Sequence, residues 1–171
     1  EHMPLRAAQA PVAENLQLYR RVRWGSLATL HMLDTRQYRD EQAACPALPL
    51  PACAGGESAA QNDAGRTITG DAQMAWLKGG LSAPGPRWRL IGNQLMIAPV
   101  LFPPLPKTQV DDVAGLFPAD GITYNGDQWD GYRADRAELL GHLAGNGIDN
   151  VVFFTGDIHS SWACDLPLDP G

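Results

Sequence analysis

The chain has 171 residues, 44% of them hydrophobic, which is enough for one substantial domain with an apolar core. Its formal net charge of −6 excludes a global basic field that would attract nucleic acid or an anionic membrane. Any phosphate group bound by so acidic a chain therefore needs local cations. No apolar run approaches the ~20 residues that span a bilayer, and no signal-peptide pattern opens the chain. Because the chain starts "EHMPLRAAQAP", without an initiator Met, we expect a mature product or a fragment.

The first predicted element is a strand from Leu27 to Leu33. Alternate residues of this run lie on opposite faces, as in a strand with a buried side. Asp34, Arg36 and Tyr38 follow its end, so a group of polar side chains gathers at a strand terminus.

A segment rich in Pro, Gly, Ala and Ser follows, and it predicts a flexible surface insertion at about 41–68. Cys45 and Cys53 lie eight positions apart inside it. In an exported protein, two cysteines in such a segment more often form a disulfide than bind a metal. In a reducing compartment all three cysteines, including Cys164, are thiols.

The next predicted element is a helix with Met74 and Leu77 on its apolar face. We expect Thr69 or Asp71 to cap its start, because short polar side chains accept hydrogen bonds from the first free backbone N–H groups. The pair Gly79-Gly80 predicts its end.

A strand from Trp88 to about Gly92 follows and leads into Asn93 and Gln94. A second helix is predicted from about Arg133 to Leu143, and a strand covered on both faces is predicted at 151–154. Twice, then, a helix precedes a strand that ends in polar residues. This alternation predicts an α/β architecture with one functional edge.

The last strand runs into "TGDIHSSW", in which Asp157 and His159 are separated by one residue. If extended geometry persists through Ile158, the carboxylate and the imidazole point the same way. Ligands bind beyond the carboxyl ends of strands in open α/β sheets, so the pair favours a metal or phosphate site. The alternative is a polar turn, in which Asp157 caps a helix and His159 is a surface group.

Four segments, in this order, carry a resemblance: "VRWGSLATLHMLDTRQYRD", "WRLIGNQLMIAPV", "DQWDGYRADRAELL" and "NVVFFTGDIHSSWACDL". Together they resemble the C-terminal half of the PhoD-like alkaline phosphatase family. The resemblance implies a calcineurin-like metallophosphoesterase fold, a β-sandwich flanked by helices, incomplete in this chain. It also implies hydrolysis of phosphate monoesters and diesters, iron and calcium as cofactors, and a secreted, periplasmic or cell-surface location.

The resemblance also suggests roles for individual residues. Asp157 and His159 match the metal-binding motif. The positions that match residues near the site or the substrate are Asn93, Trp129, Asp130 and Tyr132. From the residues alone, Asn93 can equally cap its strand, and the segment 129–132 can pack in the core. The family block containing Asp34, Arg36 and Tyr38 has no individual roles assigned.

The chemistry of these residue types fits a metal site. Hard cations prefer carboxylate and amide oxygens, and iron also accepts imidazole. In such a site a metal-bound water is the nucleophile, in the form of hydroxide. One Asp/His pair is too few ligands for two ions, so we expect the missing N-terminal half of the domain to supply the others.

Two hypotheses from different classes follow. The first is a segment of a metal-dependent phosphoesterase, inactive in isolation. The second is a non-catalytic α/β module, stapled at Cys45 and Cys53, that binds a partner or a single ion. If the three strands preceding Asp34, Asn93 and Asp157 are parallel neighbours, their ends meet at one edge of the sheet. The resemblance implies that the missing half of the domain supplies one flank of the sandwich, so we expect the face opposite that cluster to be open and apolar in this chain.

Overall fold

The computed structural model describes residues 17–43, 59–102, 122–123, 125–156 and 158–166. The strands are β1 Arg20–Trp24, β2 Ala28–Met32, β3 Trp88–Asn93, β4 Leu101–Phe102, β5 Ile122–Thr123 and β6 Val151–Thr155. The helices are α1 Asp71–Ser82 and α2 Arg133–Gly145, with short 3-10 helices at Ala59–Asn62 and Trp129–Gly131. Neither α-helix in the described part of the chain has the length and apolar character needed to cross a bilayer.

Four strands form one sheet in the order β1-β2-β3-β6, and β4 pairs with β5 in a separate two-stranded sheet. β1 runs antiparallel to β2, whereas β2, β3 and β6 are parallel neighbours. α1 precedes β3 and α2 precedes β6, as parallel strands require long crossover connections. The predicted α/β class and the parallel arrangement of the three strands are therefore confirmed.

One face of the sheet is covered. Side chains alternate across each strand, and the set on this face includes His31 and Ile91, both with 0% exposure. Partly buried Val151 and Phe153 belong to the same face. They pack with apolar side chains of the two helices: Met74, Leu77, Leu81, Leu139, Leu140 and Leu143.

The other face is open and largely apolar. Val152 and Phe154 of β6 are 36% and 56% exposed, and Trp24 and Trp88 on the same face are 75% and 43% exposed. The prediction that residues 151–154 are covered on both faces is therefore wrong for the described chain. The apolar run indicated burial, but the packed helices lie on one side only.

Gly80 does not end α1, contrary to the prediction. The helix continues to Ser82, and Gly80 is buried within it. A Cβ on Gly80 would lie 2.6 Å from His31 Nε2, closer than packed atoms tolerate. The glycine thus allows the helix to approach β2 closely. The predicted side-chain caps are also absent, because Gly70 occupies the N-cap position without a side-chain hydrogen bond.

The segment predicted as a surface insertion is described only at 41–43 and 59–68. Its second part is ordered into the core: Ile68 has 0% exposure, and its backbone N–H donates to Asp135 Oδ2 in the first turn of α2 (2.8 Å). The same oxygen accepts from the hydroxyls of Thr67 and Thr69. Cys45 and Cys53 lie outside the described residues, and Cys164 is an exposed free thiol.

Candidate active site at the carboxyl edge of the sheet

The carboxyl ends of β2, β3 and β6 meet at one edge of the sheet. Asn93, the last residue of β3, pairs in register with Thr155, the last residue of β6. Met32 at the end of β2 pairs with Gly92. The loops that follow the three strands therefore start side by side, where parallel sheets place their ligand sites.

The loop after β2 is shaped by Asp34. This carboxylate is 4% exposed, and its Oδ1 accepts hydrogen bonds from the backbone N–H groups of Arg36 and Gln37, both at 3.0 Å. Gln73 of α1 holds the backbone of Asp34 from the other side: its Oε1 accepts from Asp34 N and its Nε2 donates to Asp34 O, each at 2.8 Å. Asp34 therefore acts as a turn-forming residue whose side chain faces its own loop.

Gln94 joins the end of β3 to this loop. Its Nε2 donates to the carbonyl of Leu33 at 2.5 Å. Its Oε1 accepts from the backbone N–H of Thr35 at 3.1 Å and from the Thr35 hydroxyl at 2.9 Å. One amide thus fixes the relative positions of two strand ends.

Asn93 is buried, with 5% exposure, and its amide is engaged inside the protein. Its Nδ2 donates to Leu95 O at 2.5 Å, and its Oδ1 accepts from the indole N–H of Trp129 at 3.3 Å. The structure thus brings together two of the predicted site residues, Asn93 and Trp129. Both contribute to the interior beneath the strand ends.

Trp129, Asp130 and Tyr132 lie in the core, with exposures of 0%, 1% and 1%. Asp130 forms an ion pair of 2.5 Å with Arg136 and accepts from the backbone N–H of Val100 at 2.9 Å. The Tyr132 hydroxyl donates to a backbone carbonyl at 2.7 Å. None of these side chains faces solvent. They pack in the core, which is one of the two alternatives that the sequence left open.

His159 is exposed beyond the end of β6, which stops at Thr155. Its φ of 56° lies in the left-handed region, which non-glycine residues seldom adopt. The assumption that extended geometry persists to this residue is therefore wrong. Asp157 lies outside the described residues, and the direction of its carboxylate relative to His159 stays a prediction.

The described residues do not make a metal site by themselves. Among them, no three His, Cys, Asp or Glu side chains come together as an ion-binding group. The imidazole of His159 is accessible at the strand end, and backbone strain of this kind clusters at functional sites. Any ion bound at this edge would need donors in addition to the described side chains.

An arginine pair lies at the same edge. Arg36 Nη1 is 2.8 Å from Asp127 Oδ2, and Arg39 Nη1 is 2.5 Å from Asp127 Oδ1. Burial opposes ionisation of Asp127, but the hydrogen bonds from both guanidinium groups outweigh it, so the pKa of this carboxyl lies below its usual value.

A shallow groove of about 390 Å³ opens on the uncovered face beside the strand ends. Leu30, Met32 and Phe154 form its apolar walls. Met32 packs directly against Gly92, since a Cβ there would lie 2.5 Å from Met32 Sδ. An apolar recess thus lies next to the polar strand ends.

Comparison with known proteins identifies the family. The sequence model of the PhoD-like phosphatase family matches residues 1–170. The chain belongs to the PhoD-like phosphatase family. It is 34% identical over 169 residues to alkaline phosphatase D of Bacillus subtilis (strain 168), covering 99% of this chain and 26% of that protein.

The solved structure of PhoD has a similar fold. It superposes with a TM-score of 0.79 at 32% identity, covering 98% of this chain and 28% of the PhoD chain. The predicted resemblance and the metallophosphatase-like fold are thus confirmed. The chain spans about a quarter of the length of these relatives.

Sequence reasoning missed two residues at the carboxyl edge of the sheet, Arg39 and Asp127. Arg39 follows Arg36 by three positions just after a strand end, and that basic pair was the available signal. Asp127 gave no signal, because its partners lie 88 and 91 positions away in the chain.

Proposed function

We propose that this chain forms part of a metal-dependent phosphoesterase that hydrolyses phosphate monoesters, diesters or both. The observation that carries the proposal is the meeting of three parallel strand ends at one edge, with "TGDIHSSW" at the end of β6. Family membership adds the reaction class, because the PhoD-like relatives are named as phosphatases.

In this proposal Asp157 and His159 are metal ligands, and iron and calcium are the ions. The remaining ligands come from parts of the full-length protein beyond these 171 residues. Bound ions of this kind activate water and stabilise charge on phosphoryl oxygens. The contribution of this chain is to hold its ligands at the end of β6 and to keep the neighbouring strand ends fixed.

The buried polar residues supply that rigidity. Gln73 and Gln94 fix the loop after β2, and Trp129 fixes Asn93 at the end of β3. Ligand geometry at a catalytic site must be held within a fraction of an ångström, which requires supporting hydrogen bonds of this kind. We therefore assign these residues to positioning, with Asp130 and Tyr132 in the same supporting layer.

We also propose that the full-length protein is exported to a secreted, periplasmic or cell-surface location, where Cys45 and Cys53 form a disulfide. Disulfides persist in oxidising compartments. The Cα atoms of two bridged cysteines lie about 4.4 to 6.8 Å apart. Mass spectrometry of the unreduced protein tests this: we expect Cys45 and Cys53 linked and Cys164 free.

The decisive experiment replaces His159 by Ala in the full-length protein. We expect bound metal to fall and metal-dependent hydrolysis of p-nitrophenyl phosphate to drop by about 100-fold, because loss of a ligand disturbs both binding and activation. His142→Ala is the matched control, since His142 lies on α2 and contacts Ser82 instead of the strand ends.

Wild-type metal content and turnover in the His159→Ala protein would contradict the assignment. A wild-type protein that binds one ion and hydrolyses no phosphate ester would favour the non-catalytic module instead.

A further inference from the structure

Trp162 is an exposed aromatic side chain close in sequence to the proposed metal ligands. It ends the "TGDIHSSW" motif, three positions after His159, and 59% of it is exposed. None of the ring contacts and cation–π contacts among the described residues involves its indole. An exposed indole without a ring partner in the described chain offers its π-face to a ligand.

This indole is held in one orientation although it is exposed. Its N–H donates to Ser160 Oγ at 2.6 Å, and the Ser160 hydroxyl donates to the carbonyl of Ile158 at 3.3 Å. The single polar group of the indole is therefore satisfied, and the apolar ring is the part that can contact a ligand. A side chain that is already held in place loses less entropy when it binds.

The segment that carries Trp162 is anchored at both ends. It follows Thr155, the last residue of β6, whose hydroxyl donates to Met96 Sδ at 3.8 Å. It returns to the protein at Leu166, which packs against the hydrophobic core. Residues 159–165 are exposed between these two anchors. Trp162 thus has a fixed place on the surface beyond the strand end.

The hydrogen bond to Ser160 limits the distance between the indole and His159. Ser160 is the next residue after His159, and neighbouring Cα atoms are about 3.8 Å apart. With Trp162 Nε1 at 2.6 Å from Ser160 Oγ, the indole nitrogen lies within about 9 Å of the His159 Cα atom. A ring on the alcohol portion of an ester bound beside the His159 imidazole is within reach of the indole.

Selection among phosphate esters requires such a contact. A metal site acts on the phosphoryl oxygens, which all of these esters share, so the alcohol portion must be recognised by other groups. Trp129 and Tyr132 are 0% and 1% exposed and present no ring surface to a substrate. Trp162 presents one at the carboxyl end of β6.

We propose that Trp162 stacks on an aromatic ring in the alcohol portion of the ester, so that aryl and nucleoside phosphates are bound better than alkyl phosphates. Ser160 is the positioning residue that holds the indole. This assignment rests on the proposed phosphoesterase function and deepens it by naming the substrate class. The alternative is that the indole packs against additional polypeptide of the full-length protein and contributes to stability alone.

The test compares phenylphosphonate and methylphosphonate as inhibitors of p-nitrophenyl phosphate hydrolysis by the full-length protein. The two compounds share the phosphonate group, have no ester bond to hydrolyse, and differ in the ring. We expect Trp162→Ala to raise the inhibition constant of phenylphosphonate about tenfold, because stacking on the indole is lost. The constant of methylphosphonate should change less than about twofold, since no ring contact is involved.

Further variants separate the ring from its support. Trp162→Phe keeps a ring and should stay within about threefold of the wild-type preference for phenylphosphonate. Ser160→Ala frees the indole and should reduce that preference about threefold, because the ring must then be ordered on binding. Cys164→Ala is the matched control, an exposed position on the same segment, and should leave both constants unchanged. If Trp162→Ala does not fold, Trp162→Leu, which keeps apolar volume without a π-face, replaces it.

An equal change in both inhibition constants, or no change in either, would overturn the proposal in favour of packing against additional polypeptide. A wild-type protein that binds methylphosphonate as tightly as phenylphosphonate would also overturn it. If the full-length protein hydrolyses no phosphate ester, the proposed reaction fails, and calorimetric binding of the two phosphonates still decides whether Trp162 recognises a ring.

Discussion

The two faces of the four-stranded sheet differ in what covers them, although both are built from apolar residues. Phe153 packs against the core formed with α1 and α2, whereas its neighbour Phe154 is 56% exposed. In β3, Ile91 has 0% exposure, and the adjacent Leu90 faces the open side next to Leu30 and Val152. Composition alone does not distinguish these faces, because the strand carries large apolar residues on both.

The difference indicates which surface meets the rest of the protein. The open face exposes Trp24, Trp88 and Phe154, and large exposed apolar patches mark interaction surfaces in soluble proteins. The PhoD-like relatives are about four times as long as this chain. We expect the additional polypeptide to cover the open face, as the second layer of the sandwich implied by the family.

The largest expected effect comes from two adjacent substitutions in β3. Ile91→Ala removes a buried side chain from the covered face and should cost about 2–5 kcal/mol of unfolding free energy, because it leaves a cavity. Leu90→Ala on the open face should cost less than about 1.5 kcal/mol in the 171-residue chain. Urea unfolding of both variants measures the difference.

The same pair in the full-length protein sharpens the comparison. If additional polypeptide covers the open face, Leu90→Ala becomes nearly as costly there as Ile91→Ala. Equal costs in the 171-residue chain would mean that the open face is already buried, for example by self-association.

His31 makes the covered face sensitive to pH. Burial and the nearby charge of Arg21 lower its pKa from 6.5 to about 4, partly offset by the backbone carbonyls of Leu90 and Gly80. The unfolded chain therefore binds this proton below pH 6.5, whereas the folded chain binds it only below about pH 4. Stability should be unaffected above pH 6.5 and should fall by about 3 kcal/mol between pH 6.5 and pH 4.

His31→Gln should flatten this part of the stability profile, measured by urea unfolding at half-unit pH steps. His142→Gln is the control and should keep the slope, because His142 lies on the outer surface between Ser82 and Asn146. An unchanged profile in His31→Gln would place the pH dependence in other groups.

Asp127→Asn tests how much the ion pairs of Asp127 with Arg36 and Arg39 contribute to the free energy of unfolding. The loss should be about 1 kcal/mol at pH 7, because the ion pairs are partly exposed and screened by solvent. The folded pKa of Asp127 is lowered, so this stabilisation is present above its usual pKa and disappears as the pH falls through the folded value.

Thermal unfolding at pH 7 and at pH 3 measures the loss. Glu138→Gln, which breaks an exposed ion pair with Lys78, is the control and should change stability by less than about 0.5 kcal/mol. A loss at pH 3 equal to that at pH 7 would show that the carboxylate charge is not the cause.

Most of the fold follows from local sequence patterns. The predicted strand from Trp88 is observed as Trp88–Asn93, and the helix predicted from Arg133 begins there. Periodicity indicates such elements because side-chain direction repeats within each one. The predicted end of α1 was wrong for a reason outside the local sequence. Gly80 lies inside the helix because His31 of β2 packs against it and leaves no room for a Cβ.

The candidate site was less predictable. The meeting of strand ends follows from the parallel order, which the alternation of helices and strands predicted. The inward direction of Asn93 and Trp129 depends on contacts between residues 36 positions apart. The left-handed backbone of His159 likewise has no signal in residue type. Such features are set by packing, which a single sequence does not display.

The smallest expected change in stability comes from Phe154→Ser on the open face. Because Phe154 is already 56% exposed, we expect its loss to change the unfolding free energy of the 171-residue chain by less than about 0.5 kcal/mol.

The effect of Phe154→Ser on association should be larger, since the substitution interrupts the apolar surface shared with Val152, Leu90 and Leu30. Analytical ultracentrifugation should show the wild-type chain self-associating with concentration and the variant shifted to monomer. Lys78→Ser, a substitution on α1, is the control and should associate like the wild type. A wild-type chain that stays monomeric at high concentration would show that its open face tolerates water, and the contrast between the two faces would then carry no information about a missing layer.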